Sequence, residues 1–279
     1  MKGTPNVRGV LPAVQTPPTA AEDPGRQFVV ALARGLSLLR LFTSPDSEYG
    51  NQELAQLTQL TKPTVSRLTF TLTCLGYLHC DATTGRYRLG TAALSLGYWA
   101  MSSAFIRTVA NPIMQALSDE MNVCCALGYQ DGLEAVYLEH TRGATPLFLG
   151  MQPGSRTPLA TTAIGRCLVA VMEETAKAKF YADAARHYGN GWKSYEPALK
   201  QAMLDLKKRG FVVSTGEWEP AIAATSVPLH LGPGQRAMAL VAGGAAYLLE
   251  QDGKLDMLGP RLRSLADQIR LELDRTRTP

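Results

Sequence analysis

A short segment near residue 65 concentrates side chains that can bind nucleic acid. Short hydroxyls at a helix N-terminus can reach phosphates and base edges, and an arginine can bind guanine through two hydrogen bonds. Arg86, next to Gly85, is placed to reach a phosphate or the minor groove. We therefore predict a DNA-binding surface made of Lys62, Pro63, Thr64, Ser66, Arg67, Thr71 and Arg86.

The alternative for this segment is an ordinary three-helix surface with scattered polar groups, because helix pairs joined by tight turns are common. Phe70 is also expected on the solvent side, and it argues slightly against DNA binding because an exposed aromatic ring could instead be packed. The charge favours DNA: residues 26–90 hold seven basic and four acidic side chains, which is most of the net charge of +4.

The surrounding pattern predicts the elements that would present this surface. Apolar residues at helical spacing predict a helix over 28–42 and a second one over 51–58. A third runs from Pro63, which suits a first helical turn, to about Leu75, and Gly76 ends it. Two short strand-like runs, 77–80 and 86–89, follow around a hairpin-length loop. This order is that of a winged helix-turn-helix.

A second group of residues could hold a small anion. Thr161 and Thr162 open a predicted helix, whose free N–H groups and hydroxyls suit a carboxylate. Arg156 could supply a counter-ion, the alternative being that its loop is simply solvated. The apolar wall of the predicted pocket comprises Leu147, Leu149, Met151, Ala163, Ile164, Ala224, Leu240 and Ala242. Such a wall fits an aromatic or longer acid better than a short keto acid.

The chain as a whole divides into four predicted segments. Residues 1–25 contain five prolines and are expected to be a disordered leader, the alternative being a short ordered arm that contacts DNA. Residues 26–90 are expected to form the DNA-binding domain, and 91–104 an apolar linker helix that packs against a partner subunit. Strands mixed irregularly with helices over 105–279 predict an α+β domain. The linker helix predicts a homodimer.

Other classes of function lack support in the sequence. The five cysteines form no C-x-x-C pair, the four histidines have no metal-ligand spacing, and neither a nucleophile elbow nor a phosphate-binding loop occurs. We expect no metal, no cofactor and no catalysis. Reduced cysteines and the lack of a long apolar run lead us to expect a cytoplasmic protein without a membrane span.

Both halves of the chain resemble the IclR family of bacterial transcription regulators. The segments that carry the resemblance lie in one collinear order between residues 26 and 275: ARGL at 33–36, ELA at 53–55, KPTVSRL at 62–68, GYL at 76–78, YRLG at 87–90, PLATTAIGRCL at 158–168, and 209–217. The resemblance implies a GAF-like effector domain behind the winged helix-turn-helix, and dimers that pair into tetramers on palindromic operators. It also implies control of catabolic genes in response to a small organic acid.

The chain departs from the family pattern at several positions near the predicted pocket. Alanine replaces the usual histidine at Ala160, a glycine at Ala221 and a frequent cysteine at Ala224. These changes make the pocket less polar than in members that sense short keto acids. The alternative function is a ligand-independent DNA-binding or protein-interaction module, which would have no need of the pocket sequence at 158–168.

Overall fold

The structure is a computed structural model of the 279-residue chain. It describes residues 28–44, 46–102, 105–144, 151–232 and 237–277, with no side-chain description at 99–102, 252 and 276–277. The chain divides into two compact units, and the boundary between them in the sequence falls after residue 103. The leader predicted over 1–25 lies outside the described residues. So does the run 146–150, where the sequence pattern predicts a strand that ends at Met151.

The first unit has the predicted winged helix-turn-helix architecture. Its elements are α1 (Val30–Leu39), α2 (Asn51–Thr58), α3 (Lys62–Cys74), β1 (Leu78–Cys80), β2 (Tyr87–Leu89) and α4 (Thr91–Ser102). The two strands pair antiparallel and form the wing. A small apolar core holds the three helices and the wing together, because α1 with the turn after it, α2, α3 and β1 all contribute buried side chains: Leu38, Leu41, Phe42, Leu54, Ala55, Val65 and Leu78.

Local backbone chemistry fixes the start of α2 and both ends of α3. The Gly50 N–H donates to Glu53 Oε2 at 2.8 Å, which satisfies a free donor at the start of α2. Pro63 occupies the first turn of α3, where its missing N–H costs nothing. Gly76, with φ of 76°, takes the left-handed conformation that ends α3.

The second unit is an α+β domain built on a six-stranded antiparallel sheet in the order β5-β4-β3-β8-β7-β6. Its strands are β3 (Cys124–Asp131), β4 (Glu134–Arg142), β5 (Arg156–Pro158), β6 (Val212–Thr215), β7 (Ile222–Leu229) and β8 (Met238–Ala245). Its helices are α5 (Phe105–Met121), α6 (Ala163–Ala170), α7 (Glu174–Tyr188), α8 (Trp192–Arg209), α9 (Ala246–Leu249) and α10 (Lys254–Arg277). Two short 3₁₀ turns precede α8 and α10.

The two faces of this sheet are covered by different helices. One apolar core lies between the sheet and α5 with α10, and it includes Met114, Leu240 and Ile269. The other lies between the sheet and α6 with α7 and α8, and it includes Ile164 and Val241. Because side chains alternate between the faces of a strand, neighbouring residues of β8 belong to opposite cores. This alternation decides which residues can reach the pocket described below.

Candidate nucleic-acid interface and ligand pocket

Helix α3 presents its polar residues on one exposed face. Lys62, Pro63, Ser66, Arg67 and Thr71 are exposed, and Thr64 is half-buried. Val65 and Thr69 are buried on the opposite side, where α3 packs on the core. The structure therefore brings six of the seven predicted DNA-binding residues together on one helix face, and this face can approach a groove without disturbing the core.

Buried polar contacts fix the orientation of α3. The Thr69 hydroxyl, fully buried, lies 3.1 Å from Asn51 Oδ1 at the start of α2. The Asn51 amide in turn donates to the Tyr87 hydroxyl on the wing at 3.4 Å. Three elements are thus linked by one chain of hydrogen bonds. Sequence reasoning missed this link because a threonine in a helix gives no sign of its distant partner.

Arg86 is held against the first unit itself. Its guanidinium donates to the Glu48 carbonyl at 2.6 Å and lies 3.0 Å from the Glu53 carboxylate. A hydrogen bond from the Gly50 N–H, together with Arg86, lowers the pKa of Glu53. In this conformation Arg86 ties the wing to the start of α2. Contact of Arg86 with DNA, which the sequence predicts, remains a prediction; 39% of its side chain is exposed beside this ion pair.

The second unit contains a pocket between the sheet and the N-terminus of α6. It encloses about 510 Å³ of empty space, including its mouth toward solvent. No charged side chain is among the described lining residues. They are Cys124, Cys125, Ala126, Tyr137, Met151, Thr162, Ala163, Ile164, Ser214, Trp218, Ile222, Ala224, Val241 and Gly243. The lining is thus mainly apolar, with two aromatic side chains and a few hydroxyls.

Five of the predicted effector residues line this pocket: Met151, Thr162, Ala163, Ile164 and Ala224. Thr161 is buried just outside the lining, and its hydroxyl has no hydrogen-bond partner within the described part of the chain. Leu147 and Leu149 lie outside the described residues.

Three predicted residues are placed elsewhere. Leu240 and Ala242 point into the core formed with α5 and α10, so the lining residues of β8 are Val241 and Gly243 instead. The prediction was wrong by one residue, and a shift of one residue moves a strand side chain to the other face. Arg156 does not line the pocket; it forms ion pairs with Glu134 at 2.6 Å and Asp131 at 2.7 Å.

Several lining residues had not been predicted. Tyr137 and Trp218 supply the aromatic surface and Ser214 a hydroxyl. The alternation along β4 and β6 could have suggested Tyr137 and Ser214, had the sheet order been known. Trp218 follows β6 in a loop that begins at Gly216, and no periodic pattern could have placed it.

The α6 N-terminus and the loop after β6 are joined by an ion pair between a buried arginine and a partly exposed glutamate. Thr162 caps α6, its hydroxyl accepting from the Gly165 N–H at 3.2 Å. Arg166 on the same helix is only 4% exposed and lies 2.7 Å from Glu217. Burial alone would raise the pKa of Glu217, but hydrogen bonds from Arg166 and Ser214 outweigh it and lower that pKa. The Arg166–Glu217 ion pair therefore links the loop that carries Trp218 to α6, beside the pocket.

The cysteines near the pocket are poorly suited to nucleophilic chemistry. Burial raises the pKa of Cys125 and of Cys167 to about 12, and it also raises that of Cys124. Thiols of this kind stay protonated at neutral pH, whereas the thiolate is the reactive form. Among the described residues, no cluster of three or more metal-ligating side chains occurs. The helices of the described ranges include none with the length and apolarity needed to cross a membrane.

Comparison with known proteins assigns both units. Residues 31–82 match the IclR helix-turn-helix domain, and residues 99–271 match the bacterial transcriptional regulator IclR C-terminal domain. The HTH-type transcriptional regulator TsaQ1/TsaQ2 of Comamonas testosteroni is 28% identical over 267 residues, which cover 94% of this chain and 95% of that protein.

Two solved structures extend the comparison. An IclR family transcriptional regulator from Brucella abortus has a TM-score of 0.83 and 37% identity, covering 93% of this chain and 98% of its own. An IclR homolog from Microbacterium hydrocarbonoxydans, solved in complex with 4-hydroxybenzoate, has a TM-score of 0.69 at 20% identity. It covers 88% of this chain and 99% of its own, and it shows the shared fold.

Proposed function

This chain belongs to the IclR family of bacterial transcriptional regulators, and it is a DNA-binding regulator rather than an enzyme. From that premise we propose that it controls a catabolic operon. An aromatic carboxylic acid, bound in the pocket of the second unit, changes its affinity for DNA. A protein that binds chromosomal DNA in this way acts in the bacterial cytoplasm.

The uncharged, mainly apolar pocket is the observation that supports this ligand class. Tyr137 and Trp218 offer aromatic surface to a ring, and the N–H groups at the start of α6 suit a carboxylate. A short keto acid has little apolar surface to bury in such a pocket, so it gains little there. The 4-hydroxybenzoate complex of the Microbacterium homolog supports the proposal, because the same fold accepts an aromatic acid there.

Exposed apolar side chains of the first unit support the homodimer. Leu94 and Tyr98 lie four residues apart on one face of α4 and are 73% and 62% exposed. Contiguous exposed apolar surface marks interaction sites. A dimer formed through α4 would present two α3 helices to successive major grooves, about 34 Å apart, on a palindromic operator. Dimers would then pair into tetramers, as in other family members.

Calorimetry tests the ligand class directly. We expect 4-hydroxybenzoate or benzoate to bind and pyruvate not to bind. Ala224→Phe, which fills the pocket, should abolish the binding heat, whereas Ala182→Phe on the exposed surface of α7 should leave it unchanged. Tight binding of pyruvate with no heat from any aromatic acid would refute the aromatic assignment. Absence of binding by every acid would favour the ligand-independent alternative.

A further inference from the structure

Phe70 is an exposed aromatic side chain in the middle of the polar face of α3. It is 71% exposed, although it lies on the same helix as the buried Val65 and Thr69. At 3.6 residues per turn, Phe70 lies about 60° around the helix from Arg67 and about 40° from Ser66. The ring therefore stands between the two residues best placed to contact bases, rather than on the edge that packs against the core.

The chemistry of the major groove restricts what a ring at this position can contact. Base edges there carry hydrogen-bond donors and acceptors, and the one apolar group is the C5-methyl of thymine. A phenyl ring makes no hydrogen bond. If it covered a guanine, cytosine or adenine edge, it would displace the water bound there and leave the donors and acceptors of that edge unpaired. The thymine methyl, by contrast, gains from burial against the ring.

We propose that Phe70 determines specificity in DNA recognition by packing against the C5-methyl of one thymine in each half-site, next to the base that Arg67 contacts. This inference rests on the proposed function, namely on α3 entering the major groove. The continuity of Phe70 with Lys62, Ser66 and Arg67 argues for DNA as the occupant of this surface, since a protein partner would have to cover these polar and basic side chains as well.

The test removes only the C5-methyl group of thymine from the operator and leaves the rest of the base unchanged. An operator is selected with the wild-type protein from random double-stranded DNA, and each thymine is then replaced in turn by deoxyuridine, which keeps base pairing. Fluorescence anisotropy measures the dissociation constant. At one thymine per half-site we expect uracil to weaken wild-type binding about fourfold, the effect of burying one methyl group.

Variants of Phe70 identify the contact. Phe70→Ala should bind thymine and uracil operators equally, and Phe70→Leu should keep part of the difference. Leu204→Ala, which removes an exposed apolar side chain in the second unit, should behave as wild type. Because Phe70 is exposed, its replacement should leave the thermal unfolding unchanged.

Two results would overturn the inference: no uracil effect at any position in the wild type, or a uracil effect that persists in Phe70→Ala. Both are distinct from failure of the proposed function, in which no operator would be selected at all. If the wild type is insensitive to uracil and Phe70→Ala has a different oligomeric state from the wild type, a second copy of the chain covers the ring, and the inference is overturned.

Discussion

At the residue scale, Arg67 and Lys62 share a helix and a charge but should act differently on DNA. Arg67→Ala should cost roughly 1–3 kcal/mol of specific binding and relax the preference at one base pair, because a bidentate contact to guanine is lost. Lys62→Ala should weaken binding about equally on all sequences and lower the slope of log affinity against log salt by about one. Salt titrations on selected and random DNA separate the two. Equal, sequence-independent losses for both variants would remove Arg67 from base recognition.

Glu217 should contribute stability that depends on pH. Its pKa is lowered in the folded protein, so its contribution is present above the unfolded carboxyl pKa of about 4.3 and is lost as pH falls through the folded value. Glu217→Gln leaves the buried Arg166 without its counter-ion. Because the Glu217 side chain is 41% exposed, water screens the pair, and the loss should be about 1 kcal/mol or less at pH 7.

The pH profile of urea unfolding checks this contribution. The difference between wild type and Glu217→Gln should shrink toward zero below about pH 4, and Glu219→Gln on the same loop is the matched control. A difference that stays constant from pH 7 to pH 3 would show that the carboxylate charge is not what stabilises the loop.

The pocket residues show which side-chain positions a sequence can predict. Thr162, Ala163 and Ile164 were predictable because they are consecutive residues at the start of α6, so that locating the helix N-terminus in the sequence locates all three. Val241 and Gly243 were missed in favour of their neighbours, because β8 is buried on both faces and its apolar run carries no alternation to set the phase. Arg156 looked available because its partners, Glu134 and Asp131, lie more than twenty residues away along the chain.

At the element scale, the approach of α6 to the chain before it depends on Gly165. A Cβ added there would lie 2.3 Å from Leu159 Cα and 2.5 Å from the Leu159 carbonyl oxygen. Gly165→Ala should therefore cost about 3 kcal/mol in unfolding free energy and shift the α6 N-terminus that lines the pocket. Gly191→Ala, where a Cβ meets nothing within 4 Å, is the control. Thermal unfolding and acid binding are measured for both variants. A Gly165→Ala protein that is as stable as wild type and binds acid normally would contradict the close approach of α6 to Leu159.

Helices with one apolar stripe were the most predictable elements. The apolar pattern predicts helices over 174–188 and over about 254–275; α7 has the first bounds, and α10 extends two residues beyond the second. The pattern predicts a helix over 161–173, whereas α6 begins at Ala163 because the Thr162 side chain caps it, and ends at Ala170. The four-residue α9 was missed, because a single turn after a strand has too few residues to show a period. The order of the strands in the sheet depends on long-range pairing and could not be predicted from local patterns.

At the scale of the whole molecule, the regulator should depend on dimer formation through α4. Leu94→Glu places a charge within the exposed apolar surface of that helix and should shift the protein toward monomer in sedimentation analysis. Operator affinity should fall with it, because one monomer contacts only one half-site. Ser95→Glu, exposed on the same helix, controls for added charge. An unchanged dimer and unchanged operator affinity for Leu94→Glu would place the subunit interface elsewhere.

The pocket and the DNA-binding surface should be coupled, and an effector can change DNA affinity only through its differential affinity for two arrangements of the protein. A coupling of about 1–3 kcal/mol corresponds to roughly a 5- to 150-fold change in the dissociation constant. The sign of the change decides whether the acid releases or recruits the regulator.

The most direct test is to measure the dissociation constant for DNA by fluorescence anisotropy. The two DNAs are the gene's own upstream region and random DNA of equal length. Each is titrated at two salt concentrations, with and without 4-hydroxybenzoate or pyruvate. We expect tighter binding to the upstream DNA than to random DNA. The aromatic acid alone should change the dissociation constant at least fivefold, and this change should be absent in Ala224→Phe. Binding that is equal on both DNAs, sensitive only to salt and unmoved by any acid would contradict this coupling.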